Sequence, residues 1–477
     1  MTEIHNLIAG TWTGDPELER RSPADDSDVV SVAPRSSADV VDEAVTAARN
    51  AQAGWASRTP ISRGAVLMDA ADLLRARAAD VARDLTREEG KTLAEATGEV
   101  RRAIDVLRFF GSGGWRQGGE SLPSATPDTT VLTRAEPLGV VGLITPWNFP
   151  IAIPAWKMAP ALVSGNCVVI KPAELTPLSL SHLARALVDA GLPPGVLNVV
   201  NGRGSVIGEA IVNHPDVAGV SFTGSTQVGS GIRSALDARG ARVQLEMGGK
   251  NAYLVVDDAD PARAAAVVAA GAFGLTGQAC TATSRVYVTP GVRGEFLRHL
   301  RKAAESLTVG DGLKAGVDMG PVVSRQQYEQ DRDALAEAMT SGLDTGSARV
   351  DGDEESLFFP PVVVSGVSHE HRLAREEIFG PIVTVIEVTD YDEGLAKVND
   401  SPYGLSAGLA TTSLATAHDF AARARAGVVK VNRPTTGLDL NVPFGGVGSS
   451  STNTFREQGA RAVDFYTWSK SVYIGHD

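Results

Sequence analysis

Five short strand-like runs, separated by helix-like ones, restrict what the chain can fold into between Gly139 and Met247. The runs "GVVGLI", "CVVIK", "VLNVVN" and "AGVSF" are mostly apolar, the pattern of strands covered on both faces, and "RVQLEM" is a fifth run that alternates polar and apolar residues. Between them, "AIPAWKMAPALVSG", "LSLSHLARALVDAG", "SVIGEAIVNH" and "STQVGSGIRSALDARG" carry apolar residues at helical spacing. Strands alternating with helices predict βαβ units and a parallel sheet, here of dinucleotide-binding size. In such a sheet ligands bind outside the carboxyl ends of the strands. Residues at those ends are therefore the first candidates for chemistry.

The alternation resumes after Asn251 in "AYLVV", "PARAAAVVAAGAFGL", "SRVYVT", "GEFLRHLRKAAESL", "PIVTVIEV", "GLSAGLAT", "LATAHDFAARARA" and "GVVKVN", a second α/β unit. Residues 38–110 read as helices rich in Ala, Leu and Arg, with Gly90 as a helix stop. From "GGESLPSATPDTTVLTRAEPLG" we expect a hairpin leaving the main body. The tail "AVDFYTWSKSVYIGHD" is strand-like and expected to pair with that hairpin or with another subunit. "TSGLDTGSARVDGDEESLFFPP" reads as loop.

Composition excludes several classes of function. The net charge of −13 argues against nucleic acid or an anionic membrane surface as the main partner. No run approaches the ~18 apolar residues of a membrane span, and "MTEIHNLIAGTW" lacks the basic and apolar regions of a signal peptide. Cys167 and Cys280 are too few for a disulfide framework, so a reducing cytoplasm is expected. The scattered histidines offer no metal-ligand spacing.

Within this frame, a few residues stand where chemistry is expected. Cys280, in "LTGQACTATSRVYV", lies at the junction of a helix-like and a strand-like run, where a thiol can face a cleft and attack a carbonyl carbon. Cys167 begins a buried strand and is assigned no chemistry. Glu246 ends a strand before Gly248 and Gly249, and a carboxylate there can approach a reacting water. Asn148, in "TPWNFP", is an amide donor held between aromatics and prolines. Lys171 ends a strand and Glu174 follows; together they suit a ribose or phosphate. Gly224 and Ser225 stand at a strand-to-helix turn whose free N–H groups favour a phosphate.

The motifs "TPWNFP", "KPAE", "FTGSTQVG", "LEMGGKN", "GQACTATSR", "EEIFGP" and "PFGG" occur in that order. Together they resemble the aldehyde dehydrogenase superfamily over almost the whole chain. Glu246 and Cys280 stand 34 apart, as that family's base and nucleophile do. The resemblance implies a Rossmann-like cofactor domain (1–117 and 138–247), an α/β catalytic domain (248–448) and a β-ribbon with tail for oligomerisation (118–137 and 449–477). It implies a homodimer or homotetramer.

The resemblance also implies roles. Cys280 attacks the aldehyde, Asn148 and the Cys280 N–H hold the oxyanion, Glu246 activates water to hydrolyse the thioester, and Lys157 supports that glutamate. Lys171 and Glu174 match adenosine-ribose contacts, and Gly224 and Ser225 the pyrophosphate turn. Trp147, Glu377 and Phe379 match the nicotinamide end. Trp156 and Phe444 match the substrate side. The cofactor is expected to be NAD or NADP. Glu174 leans to NAD, because a carboxylate repels a 2′-phosphate, while Arg203 leaves dual use open.

Finer likeness in "GQACTATSRV", "VNRPTTGLDLNVPFGG" and "SSSTNTFREQGARAVDFYT" is to α-ketoglutaric semialdehyde (2,5-dioxopentanoate) dehydrogenases. That implies a small aldehyde bearing a carboxylate, for which Arg433 is the expected cation and Arg285 a brace of the catalytic loop. One departure is Ala279, where many relatives carry a basic residue. Alternatives within the class are dehydrogenases of succinate semialdehyde, glyceraldehyde or an aromatic aldehyde. A CoA-acylating enzyme is disfavoured by Glu246, and a catalytically silent structural relative by intact Cys280, Glu246 and Asn148.

Overall fold

Seven strands form the first sheet, in the order Arg242–Glu246, Gly219–Thr223, Val140–Ile144, Cys167–Lys171, Leu197–Val199, Asn6–Ile8 and Thr11–Thr13. The computed structural model that shows this describes residues 1–346 and 356–476. The first five strands pair in parallel. Val168, Val169 and Ile170 are fully buried, and burying one such side chain is worth about 1.5–3 kcal/mol. From Val140–Ile144 the chain steps outward through Cys167–Lys171 and Leu197–Val199. It then crosses back to Gly219–Thr223 and Arg242–Glu246 on the other side. A ligand crevice opens where the winding direction reverses. Here that point lies beyond Ile144 and Thr223, with Asn148 and Gly224 at its lips.

The second sheet has six strands, all parallel, in the order Val362–Ser365, Ile382–Glu387, Arg285–Val288, Ala252–Val255, Ser406–Ala410 and Val428–Val431. Cys280 precedes Arg285–Val288, and Glu377 and Phe379 precede Ile382–Glu387. This sheet therefore offers its amino edge to the cleft while the first offers its carboxyl edge.

Four helices, Asp39–Ala56, Pro60–Ala76, Ala78–Glu89 and Leu93–Gly113, fill the expected helical stretch. The third ends at Gly90 in the left-handed region (φ 106°), with its N–H on the Thr86 carbonyl. The fourth opens on a capping box between Thr92 and Glu95. The expected helix in "SVIGEAIVNH" divides into a π-helical turn, Gly204–Gly208, and Glu209–Asn213.

The strands Asn6–Ile8 and Thr11–Thr13 extend the first sheet, whereas Thr2–Glu3, Pro16–Ser22 and Asp25–Pro34 make a separate small sheet. Their composition hides them: "PELERRS" is charged, and only its last residue is buried.

The third element of the fold is antiparallel. Thr129–Pro137 pairs with Ser121–Leu122 and, from Pro137↔Thr467 to Thr129↔Gly475, with the tail strand Thr467–Gly475. The tail thus pairs with the hairpin of its own chain. The residues just before it, including Ser450, Ser451 and Glu457, turn inward and pack at the site described below. The expected loop over 340–361 lies partly at 347–355, outside the described residues.

Candidate active site

A cleft of about 390 Å³ lies between the two large sheets, lined among others by Trp147, Asn148, Gly224, Ser225, Cys280, Glu377 and Phe379. Each comes from a strand end or from a loop entering a strand. Sequence reasoning had marked all seven.

One flank has the features of a dinucleotide site. Ser225 caps the helix Thr226–Ala238 by accepting the Val228 N–H, so the helix start opens toward the cleft and favours an anion. Glu174 is exposed and takes the Gly204 N–H at 2.8 Å. The Lys171 ammonium is buried against the Pro172 carbonyl, and burial lowers its pKa to about 8 against the pull of Glu174. At the other end, Trp147 meets Phe379 edge to face at 5.4 Å, and Phe379 itself holds a left-handed backbone (φ 65°). Burial raises Glu377 to about 7, opposed by the Gly249 N–H that it accepts at 2.9 Å. Glycine at position 248 leaves room for the Glu377 carboxylate: a Cβ there would lie 1.8 Å from Glu377 Oε2 and displace it. An anion-favouring helix start, a carboxylate for ribose hydroxyls and an aromatic pair fit NAD(P). When bound, that cofactor supplies the hydride acceptor.

Across the cleft, the loop before Cys280 is strained. Leu275 and Thr276 both have φ of 55°, at a cost of about 1–3 kcal/mol each. The strain is held by Glu95, whose Oε1 accepts the Leu275 N–H at 2.7 Å, and by Thr276 Oγ1 donating to the Gly320 carbonyl. This lifts Cys280 out of the helical run and leaves it half-buried at the cleft. Burial holds its thiol well above the usual range, reinforced by Glu377, Glu246 and Glu457. At neutral pH the thiol is therefore held protonated, and a thiolate there needs a base to take its proton. Cys167 is fully buried and its thiol is pushed up to about 12 by burial, which makes it inert. Arg285 braces this region: its guanidinium donates to the Lys250 and Val398 carbonyls.

Asn148 is buried and donates through Nδ2 to the Gln278 carbonyl at 2.9 Å, two residues before the cysteine. An amide nitrogen carries two hydrogens, so a second donor remains beside the thiol. Glu246 is buried, accepts the Ser451 hydroxyl at 3.1 Å through Oε1, and leaves Oε2 without a partner among the described residues. Its pKa stands well above the carboxylate range, first from burial and then from the Glu457 charge, with Lys157 opposing.

Glu457 is the residue that sequence reasoning missed. It accepts the Trp156 indole N–H at 2.7 Å and pairs with the Lys157 ammonium, which also donates to Ser221 at 2.7 Å. Lys157 also acts on Glu246 by its charge, lowering the carboxyl's pKa against the Glu457 charge. The sequence signal was the "REQG" noted only as a likeness. Trp156 packs against Phe444, ring centroids 6.0 Å apart, and Phe444 is bonded to Glu457 through both backbones. The expected substrate-side aromatics are therefore brought together.

Arg433 is not brought to this group. It is exposed, its guanidinium donates to the Asn432 carbonyl, and its charge acts on Tyr253. The loop is tied to the cysteine's neighbour by Thr435, whose hydroxyl donates to the Thr281 carbonyl at 2.7 Å. Ala279 is buried and takes no part in the cleft. His369, Glu370 and Asp400 come within metal-ligand range of one another, a grouping invisible in the sequence. The Arg375 guanidinium lies on His369 and Asp400 at 2.9 and 3.0 Å, which makes it an ion-pair cluster.

Comparison with known proteins agrees with this geometry. The model of the aldehyde dehydrogenase family matches residues 12–472. The α-ketoglutarate semialdehyde dehydrogenase of Haloferax volcanii is 46% identical, with 98% of each chain covered. The α-ketoglutaric semialdehyde dehydrogenase of Bacillus subtilis is 43% identical over 98% of this chain and 97% of its own. The crystal structure of an NAD-dependent aldehyde dehydrogenase from Sinorhizobium meliloti superposes with a TM-score of 0.96 at 33% identity, covering 99% of this chain and 95% of that one. With Asn148, Cys280 and Glu377 lining one cleft and these relatives matched over nearly the whole chain, the chain belongs to the aldehyde dehydrogenase family: it is an NAD(P)-dependent oxidoreductase that converts an aldehyde to a carboxylic acid.

Proposed function

We propose that the substrate is α-ketoglutaric semialdehyde and the product α-ketoglutarate. The observation that carries this is near-full-length identity of 43–46% to relatives described by that activity. Cys280, once deprotonated, adds to the aldehyde carbon. The free Asn148 N–H and the Cys280 backbone N–H receive the oxyanion, where fixed donors are most effective. Loss of hydride leaves a thioester on Cys280. Glu246 then swings from Ser451, takes a proton from water, and the hydroxide releases the acid. Burial, with the Glu457 charge added, raises that carboxylate's proton affinity for this role, and Lys157 opposes the rise.

For the carboxylate end of the substrate we assign Arg102 in place of Arg433. It lies on Leu93–Gly113, and its guanidinium bonds the Gln458 amide, next to the glutamate that holds Trp156. That puts an arginine on the aromatic side of the site, where an anionic tail needs one. Glu174 supports NAD over NADP, since its carboxylate repels a 2′-phosphate, with exposed Arg203 beside Gly204 leaving room for dual use. The exposed Trp468, Tyr473 and Ile474 on the tail strand support a homo-oligomer joined through that sheet. The two unpaired cysteines support a reducing cytoplasm.

The test is kcat/KM for α-ketoglutaric semialdehyde, succinate semialdehyde, propanal and benzaldehyde with NAD and with NADP, in wild type and Arg102→Met. A charged hydrogen bond is worth about 1.5–3 kcal/mol, so the variant loses roughly 10–100-fold on both semialdehydes and little on the neutral aldehydes. Equal losses on all four substrates refute the Arg102 assignment. A wild-type preference for benzaldehyde refutes the substrate.

A further inference from the structure

The turn joining the helices Ala78–Glu89 and Leu93–Gly113, with the first two turns of the latter, contributes nothing to the lining of the cleft. It nevertheless holds the cleft's loops with an unusual set of buried charges. Lys91, Glu89 and Glu99 are each at most 2% exposed through their side chains. The Lys91 ammonium donates to Glu99 Oε2 at 2.6 Å and to the Asn148 carbonyl at 2.7 Å, and lies 4.7 Å over the Phe149 ring. The other oxygen of Glu99 accepts the N–H groups of Ile151 and Ala152 at 3.0 and 3.1 Å. One ion pair therefore grips the "WNFPIA" loop on both sides of Phe149-Pro150. Four residues from Glu99 on the same helix, Glu95 holds Leu275 in the loop that leads to Cys280.

We infer that Lys91 and Glu99 are positioning residues for the reaction, setting the Asn148 amide against the Cys280 thiol. The inference rests on the reading of Asn148 as an oxyanion donor. A buried ion pair is a poor source of stability, because its desolvation offsets the attraction. What it supplies here is geometry. The backbone contacts of the pair fall on Asn148, Ile151 and Ala152, within four residues of Asn148, and a donor displaced by about 1 Å costs up to ~10²-fold in rate. Glu89 shares the environment: Lys91 Nζ lies 3.9 Å from its carboxylate, which accepts the Lys91 N–H. The lysine thus stays charged and aimed.

The experiment is a double-mutant cycle in the full-length enzyme. Lys91→Met, Glu99→Gln and their combination are made in wild type and in Asn148→Ala, and single-turnover cofactor reduction is followed with propanal and with α-ketoglutaric semialdehyde. In wild type, Lys91→Met lowers the rate 10–100-fold, while KM for the aldehyde and the dissociation constant for NAD change less than 3-fold. In the Asn148→Ala background the same substitution costs less than 2-fold, because the group it aims is already gone. Equal losses in the two backgrounds, or a change confined to KM, overturn the inference. Lys91→Arg, which keeps the charge and a donor, retains most of the rate and serves where the methionine variant does not fold. A rate for Asn148→Ala equal to wild type would instead overturn the oxyanion reading itself, and propanal keeps both tests independent of the substrate assignment.

Discussion

Asn148→Ala removes one of the two donors that converge on the oxyanion, and the structure sets the size of the effect. Of the two hydrogens on Nδ2, one is engaged by the Gln278 carbonyl at 2.9 Å. Only the other is available for charge that develops beside Cys280. Losing a single preorganised donor costs about 2.7–4 kcal/mol of transition-state stabilisation, or ~10²–10³ in kcat. KM should move much less, because the bond strengthens only as the oxyanion forms. The substitution also strands the Gln278 carbonyl, at about 1–3 kcal/mol of stability. Thermal unfolding is therefore measured alongside, and kinetics are run well below the variant's midpoint. The assay is single-turnover reduction of cofactor at saturating NAD, with Cys280→Ala as the floor. Asn148→Asp is the sharper control: it keeps the shape, offers only acceptors when ionised, and should fall below the alanine variant. A loss under about 5-fold, or a pure KM effect, refutes the reasoning and leaves Asn148 as a substrate-positioning group.

Glu246→Gln should slow thioester hydrolysis more than hydride transfer, so a burst of reduced cofactor persists while steady turnover falls; burst and steady rates falling together would place Glu246 before the chemistry it is assigned. For pH, Glu246 acts deprotonated and its pKa is raised, so turnover climbs as pH rises through that value. Glu457→Gln removes the second largest cause of the rise after burial. The acid limb of the hydrolysis profile should therefore move to lower pH, and an unmoved limb would refute the coupling.

The cleft residues were legible before any coordinates because each occupies a position with a local signature. Asn148, Gly224 and Glu246 stand at or just beyond the carboxyl ends of buried strands, Cys280 and Glu377 just ahead of strands, and the order of motifs named the family. Those signals are short-range: apolar period, glycine, strand end. The grip on Asn148 was not legible, because Lys91 and Glu99 are separated from it by 57 and 49 positions and look like ordinary charges at a helix start. Glu457 lay in view within "REQG", yet its role depends on packing against Trp156 and Lys157 some 300 positions earlier. Arg433 shows the converse. Its loop is tied beside the cysteine by Thr435 bonding to Thr281 across 154 positions, yet its own guanidinium is exposed and bonds the Asn432 carbonyl. The sequence by itself determined the two α/β units, which follow from periodicity, and through the order of its motifs it pointed to the family and so to NAD(P) and to the roles proposed for Cys280 and Glu246. Tertiary structure alone decided which buried charges face which, because burial and long-range pairing turn an unremarkable lysine or glutamate into a group that aims or tunes its neighbours.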